Sequence, residues 1–102
     1  MDSEPPFVRR VVIRGRVQAV GYRAWTEDTA LINGVDGWVR NRVDGTVEAV
    51  FMGPRTKVEA MIDACRRGPP SARVEKLEIF EGGSDDLALR RPGEGFSTLQ
   101  TT

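Results

Sequence analysis

The chain has 102 residues, 15 Lys plus Arg against 15 Asp plus Glu, no histidine and one cysteine. That length suits one domain with a single core, and a zero net charge draws in neither nucleic acid nor an anionic membrane, so any anion site must be built locally. Without histidine, phosphohistidine chemistry, Ser-His and Cys-His nucleophiles and the common zinc sites are excluded, and one cysteine cannot close an internal disulfide.

Residues 1–6, with two prolines, are expected to be a flexible tail ahead of a single domain over 7–102. The opening "MDSEPP" lacks the basic and apolar regions of a signal peptide, and no apolar run approaches the ~20 residues of a membrane span. The chain is therefore expected to be cytoplasmic. "FVRRVVIRG" is β-branched and predicts a first strand ending at Gly15. From Tyr22, the spacing of Tyr22, Trp25, Thr29 and Ile32 predicts a helix with one apolar stripe that stops at Asn33 and Gly34. "GWVRNRV" and "TVEAVFMG" alternate in polarity and are joined by Asp44 and Gly45, which predicts a hairpin of the second and third strands.

Pro54 opens "PRTKVEAMIDACRRG", whose Val58, Met61, Ile62 and Cys65 repeat at helical spacing, with Arg66 and Arg67 in the last turn and Gly68 beyond. That spacing makes Cys65 a small core residue rather than a nucleophile. "RVEKLEIFEG" supplies a fourth strand, and "GEGFSTLQ" a short edge strand after the polar loop "GSDDLALRRP". Val74 and Leu77 have opposite parity, so the fourth strand needs a bulge or a late start.

The order strand, helix, two strands, helix, strand predicts an α+β fold: a ferredoxin-like split βαβ sandwich with an antiparallel sheet of four to five strands and both helices on one face.

Between the first strand and the first helix lies "GRVQAVGYR", residues 15–23, with no acid and two bracketing arginines. Low side-chain bulk lets backbone N–H groups approach an anion, and a helix start favours negative charge. Arg23 offers a permanently charged fork matched to phosphate oxygens. An arginine in a first helical turn is ordinarily a solvated surface residue at the wrong end of the helix dipole, a mismatch that a bound anion would resolve. Asn41 shares parity with Val39 and Val43, a polar amide on an apolar register. It either bonds a neighbouring loop or presents its carbonyl oxygen to a water.

"IRGRVQAVGYR" and "GWVRNRVDGTVEAVFMG" resemble the two signature stretches of the acylphosphatases, small enzymes of this fold that hydrolyse the carboxyl-phosphate bond of acyl phosphates. In the second stretch Gly37, Trp38, Val39, Arg40, Asn41, Gly45, Val47 and Gly53 agree with the family pattern. In the first, Gly15, Val17, Gln18, Val20 and Arg23 agree, while Ala19 replaces the usual glycine and Tyr22 the common phenylalanine. The resemblance implies that the backbone N–H groups of Arg16, Val17, Gln18, Ala19, Val20, Gly21 and Tyr22, entered through Gly15, cradle the phosphoryl oxygens. It implies further that Arg23 clamps them and that Asn41 orients the attacking water.

An acyl phosphate releases a carboxylate, a group that titrates near ~4, so the departing oxygen needs no general acid. Phosphoryl transfer through a loose transition state asks mainly for positioning and for charge on the equatorial oxygens. The expected enzyme therefore hydrolyses acyl phosphates to a carboxylate and inorganic phosphate by in-line attack of water, without metal, cofactor or covalent intermediate. It is expected to act as a monomer with no nucleic-acid or membrane partner. The alternative is a non-catalytic module binding phosphate or a carbamoyl-phosphate-like anion. Such domains occur inside larger proteins, and this chain ends soon after the domain. An RNA-binding domain of the same element order ranks last, because its paired aromatics on a basic strand are missing.

Overall fold

The computed structural model describes residues 6–102. The expected tail falls outside the described residues except for Pro6, which is exposed. The elements are β1 (Phe7–Arg16), α1 (Tyr22–Asn33), β2 (Asp36–Asn41), β3 (Val47–Gly53), α2 (Arg55–Arg67), β4 (Arg73–Glu81) and β5 (Phe96–Thr98). A short 3-10 helix, Ser84–Leu89, occupies the stretch expected as a plain polar loop.

The strands lie in the order β4-β1-β3-β2-β5. β1, β3, β2 and β4 pair antiparallel, as expected of the split βαβ arrangement. β5 departs from the antiparallel expectation: it runs parallel to β2, through Gly37 with Phe96 and Val39 with Thr98, so the sheet is mixed. A parallel neighbour needs a long crossover, and residues 42–95 supply it.

Strand alternation sorts the sheet into two faces. On one, Val11 and Ile13 of β1, Val39 of β2 and Val47, Ala49 and Phe51 of β3 join Tyr22 and Ala30 of α1 and Val58, Met61, Ile62 and Cys65 of α2 in one buried core. Both helices thus cover the same face. On the other, Val8, Trp38 and Val50 pack against Leu87 of the 3-10 helix in a smaller cluster, and the indole N–H of Trp38 donates to the Asp86 carbonyl at 2.6 Å. The 3-10 helix is thereby explained: it lids the half of the open face where β2 carries its tryptophan.

The apolar stripe of α2 is buried as its spacing predicts. In α1 the stripe differs. Tyr22, Thr26 and Ala30 are buried, while Ile32 is 85% exposed and Trp25 sits half-buried against the Tyr22 ring, edge to face at 5.4 Å. A strict four-residue period put two small side chains, Thr26 and Ala30, under the helix, which lets it lie close to the sheet. The buried Thr26 hydroxyl donates to the Tyr22 carbonyl at 2.8 Å, so its polarity is satisfied within the helix.

The parity conflict in β4 resolves as a bulge. Arg14 pairs with Lys76 and Gly15 with Val74, which leaves Glu75 without an opposite residue. A β-carbon at Gly15 would lie 2.2 Å from the Arg73 carbonyl oxygen. Only glycine permits that approach, and after Arg16, the next residue, the chain leaves the sheet.

Candidate active site

The loop from β1 into α1 is built on left-handed backbone. Ala19 has φ 61°, alone among the described non-glycine residues in positive φ, and Gly21 has φ 80°. Gly21 is the N-cap of α1 and, lacking a side chain, offers no cap; the first turn carries no acid either. The first loop-to-helix bond is from the Trp25 N–H to the Gly21 carbonyl at 3.0 Å. The backbone N–H groups of residues 17–24 find no acceptor among the described residues. A row of unpaired donors at the positive end of a helix dipole is an anion site in waiting.

A cavity of about 480 Å³ opens at this helix start, lined by Val17, Ala19, Gly21, Tyr22, Arg23, Ala24, Glu27, Asp28, Asn41 and Thr98. That volume exceeds what a phosphoryl group fills and falls in the range of small-molecule sites. Arg23 reaches it from the first turn of α1 and makes no ion pair or side-chain hydrogen bond among the described residues. Asn41 reaches it from the last position of β2, opposite Val47 on the helix-covered face. Its Oδ1 is buried and has no hydrogen-bond partner among the described residues. Buried acceptors without a partner are rare and destabilising. Asn41 lines the cavity that Arg23 and the uncapped helix start share.

The remaining loop residues divide. Val17 is buried, Ala19 and Gly21 border the cavity, and Tyr22 borders it with its ring sunk in the core. Gly15, Arg16, Gln18 and Val20 do not line it. Gly15 and Arg16 still pair with β4, and Val20 packs against the core. The Gln18 side chain turns toward the hairpin, where Nε2 donates to the carbonyls of Arg42 at 2.7 Å and Thr46 at 2.8 Å.

Tyr22 and Cys65 supply no proton chemistry. The Tyr22 hydroxyl donates to the Cys65 carbonyl at 2.5 Å inside the core, and burial drives its pKa far above the ordinary phenol value. Burial likewise pushes the Cys65 thiol up to about 12, consistent with a core residue.

Four lining residues were not among the expected site: Ala24, Glu27, Asp28 and Thr98. Glu27 stands four residues from Arg23, so helical spacing alone would have placed both on one face. Thr98 had no such signal, because its position depends on β5 lying parallel beside β2. Its hydroxyl donates to Glu27 Oε1 at 2.6 Å.

Beneath Asn41, on the other sheet face, Glu48 holds three arginines: Arg40 Nε at 2.8 Å and Arg42 Nη1 at 3.0 Å on Oε1, Arg10 Nη1 at 3.0 Å on Oε2. Its side chain is 6% exposed. Burial alone would raise the Glu48 carboxyl, but the hydrogen bonds from Arg40 and Arg42 outweigh it and hold the group below the ordinary carboxylate value. Arg40 and Arg42 flank Asn41, so this network braces the strand end that presents it.

Among the described residues no three His, Cys, Asp or Glu side chains gather as a metal site, and no helix is long and apolar enough to cross a membrane.

The acylphosphatase family model matches residues 9–91, both signature stretches included. The chain belongs to the acylphosphatase family. It is 58% identical over 95 residues to an acylphosphatase of Rhodopseudomonas palustris, covering 93% of this chain and 96% of the relative. An acylphosphatase of Bradyrhizobium diazoefficiens is 54% identical over 94 residues, with 92% and 95% covered. The fold matches the crystal structure of the Bacillus subtilis acylphosphatase with a TM-score of 0.79 at 31% identity, covering 91% of this chain and 98% of that one. The activity is accordingly that of an acylphosphatase, a hydrolase of small acyl phosphates; these relatives support the enzyme and not the non-catalytic binding module.

Proposed function

We propose that the loop N–H groups of residues 16–22 and the Arg23 guanidinium bind the phosphoryl group, and that Asn41 holds the water that attacks phosphorus in line. The observation that carries this reading is the buried, unpartnered Oδ1 of Asn41, a residue that lines the same cavity as Arg23 and the uncapped start of α1. An amide oxygen there accepts a hydrogen from water and leaves a water lone pair for phosphorus. The loop and Arg23 meanwhile carry the charge that spreads over the equatorial oxygens in a loose transition state.

The chemistry closes with few parts. The P–O bond to the acyl oxygen breaks as the bond from water forms, and the electron pair leaves with a carboxylate stable at neutral pH. No group need protonate that oxygen, which fits a cavity lined by Tyr22, whose hydroxyl is held neutral by burial. We extend the reading to turnover without a metal or covalent intermediate, by a cytoplasmic monomer.

The test is hydrolysis of benzoyl phosphate beside a phosphate monoester, before and after exhaustive chelation. Turnover of the acyl phosphate alone, unchanged by chelation, is expected; a rate restored only by a divalent cation would overturn the metal-free mechanism. Arg23→Ala and Arg23→Lys should each lose about 10³-fold in rate, since a point charge cannot reproduce the fork. Near-normal kinetics in Arg23→Lys would rule out bidentate clamping.

A further inference from the structure

We propose that the acyl-tail end of the cavity selects substrates by charge: Glu27 and Asp28 favour acyl phosphates with cationic or neutral tails and disfavour those with anionic tails. This rests on the reading above, in which the loop and Arg23 hold the phosphoryl group, and names the substrate class of that same site.

The cavity has more volume than the phosphoryl group uses, and its contents are asymmetric. Arg23, the one cationic side chain among the described lining residues, stands at the loop end. Glu27, one helical turn on, lies about 6 Å farther along α1 from the loop, and Asp28 follows it in the lining. A tail extending from phosphorus along α1 therefore leaves the donors behind and meets two carboxylates.

Glu27 is also held in place for this role. Residues four apart on a helix with opposite charges ordinarily pair, yet Glu27 and Arg23 form no ion pair within 4.0 Å among the described residues. Instead Thr98 Oγ1 donates to Glu27 Oε1 at 2.6 Å, drawing the carboxylate toward β5. Two consequences follow. Arg23 is left for the phosphoryl oxygens, and Glu27 Oε2, which has no hydrogen-bond partner among the described residues, remains available to a donor on the tail. An ammonium or amide tail satisfies it, whereas a carboxylate tail brings like charges together in a partly enclosed cavity where water screens them less than in bulk.

The experiment measures kcat/KM for benzoyl phosphate and for its para-aminomethyl and para-carboxy derivatives, with the wild-type chain and with Glu27→Gln, Glu27→Lys and Asp28→Asn. Ratios between substrates within one protein cancel any general loss of activity. The wild type should rank cationic above neutral above anionic. Glu27→Gln should raise the anionic-to-neutral ratio by about threefold to tenfold, Glu27→Lys should raise it further and lower the cationic-to-neutral ratio, and added salt should compress every difference. Substrate ratios identical in all four proteins would overturn the proposal. So would equal losses on all three substrates in Glu27→Gln, the signature of a general base. Arg23→Ala on benzoyl phosphate separates the two readings: full activity there removes the phosphoryl site itself, whereas lost activity with unchanged ratios removes only charge selection.

Discussion

The side-chain amide of Gln18 donates to the backbone carbonyl of Arg42 at 2.7 Å, and so ties the loop after β1 to the residue that follows Asn41. A second bond, to the Thr46 carbonyl at 2.8 Å, closes the clamp across the hairpin turn. The spacing between loop and amide is then set by one side chain.

Gln18→Ala should therefore lower kcat by about tenfold and stability by about 1–2 kcal/mol, as two net hydrogen bonds are lost while the Arg42 and Thr46 carbonyls keep only their backbone donors, the N–H groups of Gly45 and Arg42. Kinetics and thermal unfolding on the same preparation check this. Lost stability with unchanged kcat would reduce Gln18 to a purely structural tie.

Asn41→Ala should cut kcat by at least ~10²-fold, about 2.7 kcal/mol of transition-state stabilisation, while inhibition by inorganic phosphate changes little. The variant should remain folded, because the amide oxygen it removes has no hydrogen-bond partner among the described residues. A parallel fall in phosphate affinity would put Asn41 in the anion cradle instead.

Ala19 stands at φ 61°, a conformation that costs an L-residue ~1–2 kcal/mol. Glycine relieves that but adds freedom to the unfolded chain, worth about 0.4–1 kcal/mol. Ala19→Gly should thus stabilise the protein by about 0.5–1 kcal/mol, raising Tm by about 3–6 °C. A drop in Tm would mean that alanine's limit on the unfolded chain outweighs the strain.

Glu48→Gln should destabilise the chain by about 3 kcal/mol at neutral pH, because it leaves Arg10, Arg40 and Arg42 crowded without their shared anion. The folded-state pKa of Glu48 is depressed, so its contribution is fully present above the unfolded-state value. It is lost as pH falls through the lower, folded-state value. Denaturant unfolding across the acid range should show the two proteins converging at low pH. A constant gap would indicate a packing defect rather than a lost charge.

Much of the fold was legible in local patterns. The period of Val58, Met61, Ile62 and Cys65, the Asp44-Gly45 turn and the alternation of β2 and β3 each record a constraint within a few residues of chain, where sterics and burial act directly. The family signatures carried Arg23, Asn41 and the loop, and the structure brings these together at the start of α1. What local pattern missed depends on contacts between distant segments. Tyr22, Trp25, Thr29 and Ile32 fit a helical stripe as well as Tyr22, Thr26 and Ala30 do, and only the sheet beneath α1 decides which rotation buries more.

The sequence by itself determined the element order, the anion-ready loop and the identity of the arginine and asparagine, because propensity, glycine placement and charge are properties of short stretches. Only the tertiary structure decided the rest: that β5 lies parallel to β2, that Thr98 thereby draws Glu27 away from Arg23, and that Glu48 gathers three arginines below Asn41. The closest of these partners in sequence are six residues apart and the farthest 71. Only the pairing register and the packing of α1 on the sheet bring their side chains within hydrogen-bonding distance.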